Sequence, residues 1–186
     1  MKFLFIGLVW LVVAIALGAS GALRHLRPPG PQVVLLALTA ALLIAWRLNQ
    51  GFRAWLYALD QRAIVALHLS RFVGAYFLFL YRKGELPFGF AVPGGWGDIL
   101  VATSAGLLLL SWSGGAHDRR WLAIWNLAGF IDISLVVATA ARQALADPAS
   151  MAALLRLPLS LLPTFLVPLI IASHVLIFIR LRREVR

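Results

Sequence analysis

The stretch FLVPLIIASHVLIFI, residues 165–179, carries only two polar side chains, Ser173 and His174, among aliphatic and aromatic residues. Lipid hydrocarbon solvates a helix of this composition well, whereas water does not. Similar runs recur along the chain as HLSRFVGAYFLFLY at 68–81 and WNLAGFIDISLVVA at 125–138, and each contains isolated ionisable residues. The sequence therefore predicts several membrane-spanning helices with polar groups inside them.

The overall composition indicates the same class of protein. The 186 residues are 62% hydrophobic and 13% charged, whereas a soluble domain has roughly 25% charged residues. The formal net charge of +10 comes mainly from arginines at the ends of apolar runs, where they contact lipid headgroups, so we expect no nucleic-acid partner. The chain has no cysteine, which excludes disulfides, thiolate nucleophiles and iron–sulfur clusters.

Six apolar segments have about the 20 residues that a helix needs to cross a bilayer. We therefore predict an all-α, polytopic membrane helical bundle that forms one domain over residues 1–186. The predicted transmembrane spans are residues 3–22, 33–49, 63–82, 98–113, 121–142 and 160–181.

Three connecting segments are predicted to lie at the membrane surface. Residues 51–62 mix aromatic and charged side chains, which is typical of an interfacial helix. Asp147 begins a short surface helix over 148–157 because proline at position 148 suits a first helical turn. Residues 84–97 are dense in Pro and Gly, so we expect irregular, re-entrant backbone there. Asp98 then either caps the fourth span or faces the lumen beneath this loop.

The basic residues set the predicted orientation, which is N-in and C-in because most of them then lie on the cytoplasmic side. Ala14, Gly18 and Ala22 form a small-residue face, so we expect the first segment to be a retained transmembrane helix rather than a secretory signal. Frequent Ala, Leu and Arg favour a bacterial cytoplasmic (inner) membrane. A homo-oligomer or a larger membrane complex is left open. Anionic lipid headgroups are expected at four C-terminal arginines: Arg180, Arg182, Arg183 and Arg186.

Three polar side chains are predicted to lie at one depth in the membrane. His68, Asn126 and His174 each stand five or six residues from the inner end of a span, roughly 8–10 Å at the rise of a helix. Two histidines at matched depth could be the axial ligands of haem b. Alternatively, they relay protons or bind a metal, or each only hydrogen-bonds a neighbour. Pro168 favours that last alternative because it leaves the Thr164 carbonyl without its helical donor.

Arg71 and Asp132 are predicted to form a second, deeper site. His68 and Arg71 are three residues apart and share a helix face. The long Arg71 side chain could reach Asp132, and pairing would neutralise two charges that are costly in hydrocarbon. The pair either fixes helix register or lines a cavity for a polar ligand, and Gly129 leaves room for a neighbour or ligand there. Asp132 lies about 9 Å deeper than Asn126 by helical rise, so we expect no zinc site.

The segment LPFGFAVPGGWGDILVA, followed by a span that contains WNLAGFID, resembles small uncharacterised bacterial multi-pass membrane proteins with an LPxGFAxPxGWGD-type loop. The resemblance covers roughly residues 68–140. It implies a multi-pass membrane fold and no particular activity.

Catalysis receives little support from the sequence. No Gly-x-Ser-x-Gly motif is present, and the seven acidic residues are scattered singly rather than clustered for Mg²⁺. The leading hypothesis is a membrane protein that binds or translocates a polar or ionic ligand through His68, Arg71, Asn126, Asp132 and His174, with Asp98 near the pathway. The alternatives are an electron-transfer protein with haem b between His68 and His174, or a structural subunit of a membrane complex.

Overall fold

The computed structural model describes residues 2–183, and within this range the chain is helical with no strand. Arg186, one of the predicted headgroup contacts, lies outside the described residues. The α-helices of residues 2–183 are α1 (Lys2–Ala19), α2 (Gly30–Leu48), α3 (Gln50–Ala58), α4 (Gln61–Leu67), α5 (Gly74–Arg82), α6 (Phe88–Leu110), α7 (Ala116–Ala146) and α8 (Val167–Arg183).

Shorter helical segments join these α-helices. Three are 3-10 helices, and one is a π-helix that leads directly into α8. Their bounds are Ala22–His25, His68–Val73 and Ala149–Leu155 for the 3-10 helices, and Leu162–Leu166 for the π-helix.

Six continuous helical stretches of residues 2–183 are long and apolar enough to cross a membrane, as the sequence predicted. One of them combines α4, a 3-10 helix and α5, and another combines the π-helix with α8. The stretches are Lys2–Ala19, Gly30–Leu48, Gln61–Arg82, Phe88–Leu110, His117–Ala146 and Leu162–Arg183.

The prediction of an irregular re-entrant loop over 84–97 is wrong. Only the turn that ends at Pro87 is non-helical, and α6 runs without a break from Phe88. Pro93 lies inside α6 and removes one helical N–H donor. Gly95 and Gly97 of this segment lie at close contacts with other helices rather than in irregular backbone.

The fourth span consequently starts ten residues earlier than predicted, and Asp98 does not cap it. Asp98 lies in the third turn of α6, and its side chain is buried. A carboxylate at that position is too far along the helix to accept hydrogen bonds from the free N–H groups of the first turn. Its partner must therefore lie on another helix.

The two predicted surface segments are helical, with ends set by aspartate caps. Residues 51–62 correspond to α3 and the start of α4, where the Asp60 carboxylate accepts from the Arg62 backbone N–H at 2.9 Å. Residues 148–157 contain the 3-10 helix Ala149–Leu155, and the Asp147 carboxylate accepts from the Ala149 N–H at 3.1 Å. Both carboxylates satisfy donors that the helix itself leaves free.

The described residues divide into two compact units. The first comprises residues 2–58 and 140–169. In it, α1 and α2 pack against the π-helix, and the Trp10 indole N–H donates to the Thr164 carbonyl at 2.8 Å. This is the carbonyl that Pro168 leaves without a helical donor, so a tryptophan of α1, not a histidine, satisfies it.

The second unit comprises residues 59–139 and 170–183. Its closest packing joins α6 to α5 and to the 3-10 helix His68–Val73. Gly74 and Gly95 allow this approach: a Cβ at Gly95 would lie 2.8 Å from the Gly74 carbonyl oxygen, and a Cβ at Gly74 would overlap the Gly95 carbonyl. Small residues at a helix crossing let two backbones come this close.

We predict that Gly74→Ala destabilises the protein. The added methyl group meets a backbone carbonyl that cannot move aside, and overpacking of this kind costs about 1–3 kcal/mol. The measurement is the denaturation midpoint of the purified protein in detergent micelles.

Gly106→Ala is the matched control for this substitution. A Cβ at Gly106 meets only the end of the Leu69 side chain at 3.8 Å, so its midpoint should stay the same or rise because alanine favours helix. Equal midpoints for the two variants would contradict the close approach of α5 and α6.

Candidate functional site

Three charged side chains from three candidate spans meet inside the second unit. Arg71 donates from Nε to the Asp98 carboxylate at 2.6 Å and from Nη2 to the Asp132 carboxylate. Its Nη1 donates to the Gly129 backbone carbonyl at 3.1 Å. All three guanidinium nitrogens therefore have an acceptor. We call Arg71, Asp98 and Asp132 the Arg71 cluster.

The Arg71 cluster is withdrawn from solvent to different degrees. The Arg71 side chain is 1% exposed and that of Asp98 4%, whereas the Asp132 side chain is 22% exposed. Asp132 is thus the most exposed member of the cluster. With one cation and two carboxylates, the fully ionised cluster carries a net charge of −1.

The local fold explains how the cluster forms. The 3-10 helix His68–Val73 has three residues per turn, so His68 and Arg71 stand directly above one another on one face. The close approach of Gly74 and Gly95 then packs α6 against this segment. A Cβ built at Gly74 would lie 2.8 Å from the Asp98 Cβ, so Asp98 is also close to this crossing. Asp98 is thereby held beside the guanidinium.

A second group of polar side chains is buried next to the first. The His174 Nδ1 lies 2.8 Å from the Asn126 Oδ1, and the Asn126 amide donates to the His174 carbonyl at 3.1 Å. The His68 Nε2 lies 3.0 Å from the Ser173 hydroxyl. The centroids of the two imidazole rings are 4.4 Å apart. We call His68, Asn126, Ser173 and His174 the histidine cluster.

Hydrogen bonding assigns the tautomers of both histidines. Because the Asn126 amide donates to a backbone carbonyl, its Oδ1 faces His174, and the His174 Nδ1 must carry the proton. The Ser173 hydroxyl donates to the Ile170 carbonyl at 2.7 Å, so its oxygen accepts from the His68 Nε2. The opposite nitrogens, His68 Nδ1 and His174 Nε2, are therefore lone-pair acceptors.

These two lone pairs are buried without donors. Among residues 2–183, both nitrogens belong to the small set of buried polar atoms that have no hydrogen-bond partner, and both residues are 0% exposed. Buried polar atoms are ordinarily paired, so two unpaired imidazole acceptors in one site are an exception that requires an explanation.

Gly129 joins the two clusters. Its carbonyl accepts from Arg71, and a Cβ built on it would lie 2.8 Å from Cε1 and 3.2 Å from Nε2 of His174. The sequence predicted room at Gly129 for a neighbour or a ligand, and the neighbour is the His174 ring. The His174 Nε2 and the Arg71 guanidinium consequently lie beside the same residue, Gly129.

The histidine pair does not fit haem b. Two axial imidazoles must face each other across the plane of the macrocycle, with one nitrogen of each directed at the iron. The His68 and His174 rings instead contact each other, and the Trp125 ring packs on His68 with its centroid at 4.8 Å. Within residues 2–183, no three His, Asp or Glu side chains are grouped to hold a metal ion.

The sequence-predicted residues thus come together, with one change of role. His174 contacts both Asn126 and His68, the two residues predicted to share its depth, and Arg71 contacts Asp132. Asp98 was expected to be a cap or to face the lumen, yet its carboxylate accepts from the Arg71 Nε. Ser173 was not predicted as a partner of His68. The signal for Asp98 was that Gly94 and Gly95 stand four and three residues before it, which places small residues on its side of a helix.

Arg180, which was predicted to contact lipid headgroups, has protein partners. Arg180 donates to the Leu59 carbonyl at 3.0 Å and to the Gln61 side chain at 3.1 Å, and Arg119 donates to the Leu181 carbonyl at 3.0 Å. Arginine side chains of neighbouring helices therefore satisfy backbone carbonyls at this end of the second unit.

Arg71→Leu is expected to destabilise the protein strongly. It leaves two carboxylates of the Arg71 cluster without a cation, and breaking a buried pair from one side costs about 3–5 kcal/mol. The denaturation midpoint in detergent would report the loss. Arg120→Leu, which removes the same charge from an exposed position, should change stability by no more than about 0.5 kcal/mol. Similar losses of stability in the two variants would contradict the role of Arg71 in holding the cluster together.

The comparisons with known proteins give one result. No curated protein and no solved structure matches the chain. A family model described as a domain of unknown function, DUF8737, matches residues 28–182. This match covers most of the chain and includes both clusters, and the protein therefore belongs to the DUF8737 family.

Proposed function

We propose that this protein is a multi-pass membrane protein that binds or conducts a small polar or ionic ligand through the Arg71 cluster and the histidine cluster. The observation that carries the proposal is a buried guanidinium between two carboxylates, joined through Gly129 to two unpaired imidazole lone pairs. Ionisable groups at membrane depth are costly and, where they occur, commonly line ion or substrate pathways.

The exposed surface supports a location in the lipid bilayer. Leu4, Phe5, Leu8 and Val12 of α1 are each more than half exposed, and an apolar surface of this extent requires a lipid or protein cover. We propose a bacterial cytoplasmic membrane with both termini on the cytoplasmic side, because most arginines and lysines then lie there. Anionic lipids would contact Arg182 and Arg183 beyond the last apolar turn of α8.

The functional test measures ligand flux. We expect purified protein in liposomes to move a small ion or polar solute, and we expect His68→Ala and Asp132→Asn to lose this flux while they still fold. His68→Ala opens the contact between the two imidazoles, and Asp132→Asn removes the carboxylate at the exposed edge of the Arg71 cluster. A radiotracer or dye assay over a panel of ions provides the measurement.

Two matched variants control this experiment. His25→Ala and Asp60→Asn change the same residue types at exposed positions, and asparagine at 60 keeps the helix cap. Both should retain wild-type flux. Unchanged flux in His68→Ala and in Asp132→Asn would contradict the proposal.

A structural role is the second candidate, because every nitrogen of Arg71 is paired and the bonds link three helices. Replacing all members of a buried ion pair by apolar residues of similar size is often neutral for stability. The triple variant Arg71→Leu, Asp98→Leu, Asp132→Leu therefore separates the two functions. A folded triple variant that keeps the flux assigns the cluster to structure, and a folded variant without flux assigns it to ligand passage.

A further inference from the structure

We infer that the ligand of this core is a proton, held between Asp98 and Asp132 beside Arg71 and passed to the lone pairs of His174 and His68. The inference rests on the proposed function and names its ion. Two independent observations carry it: the charge of the Arg71 cluster and the unpaired nitrogens of the histidine cluster.

The first observation is the charge of a buried site. Arg71 supplies one positive charge and the two aspartates supply two negative charges, so the ionised cluster retains one uncompensated negative charge. Isolated charges are costly in an apolar interior. Uptake of one proton by either carboxylate makes the cluster neutral, and two carboxyl groups that share a site commonly share one proton.

The second observation is the pair of imidazole nitrogens that carry no proton and accept no hydrogen bond. His174 Nε2 and His68 Nδ1 are unprotonated, buried and without donors. His174 Nε2 lies against Gly129, whose carbonyl accepts from Arg71. His174 Nε2 therefore lies beside the residue that the Arg71 guanidinium contacts, and the His68 ring contacts the His174 ring.

The packing selects a proton over a larger ion. A carbon atom at the Cβ position of Gly129 would lie 3.2 Å from His174 Nε2 and 3.1 Å from the Val101 side chain. The Asp132 carboxylate likewise lies against Gly97, where no Cβ could fit. A metal or alkali ion with its ligand shell needs more space than these contacts leave, whereas a proton needs none.

The transfer itself balances in atoms and charge. The O–H bond of the protonated carboxyl breaks, an N–H bond forms at His174 Nε2, and a carboxylate and an imidazolium replace two neutral groups. The charged groups around the proton are Arg71 on the 3-10 helix, Asp98 on α6 and Asp132 on α7, with His174 on α8 and His68 above Arg71. Asp132, the exposed member, exchanges the proton with water.

Infrared spectroscopy of the full-length protein in liposomes tests the proton site at about pH 7, where exposed carboxyl groups are ionised. We expect one carboxylic-acid C=O band per molecule that shifts in D₂O and is lost in Asp98→Asn and in Asp132→Asn. Both variants mimic the protonated carboxyl and should fold. Asp60→Asn, at an exposed position, should keep the band. A wild-type spectrum without this band overturns the inference, whatever the variants do.

Proton flux in the same liposomes tests the transfer step. An internal pH dye should report acidification under an imposed pH gradient, and His174→Gln should lose at least nine tenths of that rate while it keeps the carboxylic-acid band. His25→Gln, which alters an exposed histidine, should retain the rate. Equal proton flux in His174→Gln and wild type overturns the transfer to the histidine cluster.

The outcomes separate this inference from the proposed function. Flux of K⁺ or another ion without a carboxylic-acid band overturns the proton as the ligand and leaves the proposed function intact. The band without flux or binding of any ion or solute overturns the proposed function and leaves the shared proton in place.

Discussion

The second unit depends on one constraint, which is that a guanidinium buried among apolar helices must have an acceptor for every nitrogen. Arg71 meets this constraint with two carboxylates and one backbone carbonyl from two other helices. An unpaired charge there would be far more costly than the hydrophobic contacts of a single side chain contribute. The guanidinium therefore determines which faces of α6 and α7 turn inward, and glycines at the contact points provide the space.

The sequence predicts the six candidate spans and most of the site because both follow from strong local signals. Apolar length identifies the spans, and helical rise places His68, Asn126 and His174 at one depth. The same reasoning failed for residues 84–97, where Pro and Gly were taken as signs of irregular backbone. In a tightly packed helix glycine permits close crossings, and this tertiary role cannot be separated from loop formation in a single sequence.

The error at residues 84–97 also hid the role of Asp98. Once the fourth span is taken to begin at Asp98, its carboxylate becomes a cap and cannot reach the depth of Arg71. Ser173 was missed for a different reason: its neighbour in sequence is His174, but its partner in space is His68 on another helix. Contacts of this kind depend on helix rotation, which is set by the packing of both helices and not by either segment alone.

The 3-10 helix His68–Val73 also changes the length of the third span. A 3-10 helix rises about 2.0 Å per residue and an α-helix about 1.5 Å, so these six residues extend the span by about 3 Å. A regular α-helix would need about two more residues to reach the same length. The short segment that aligns His68 with Arg71 thus also sets the length of this candidate span, and its conversion to α-helix would both shorten the span and turn the two side chains out of alignment.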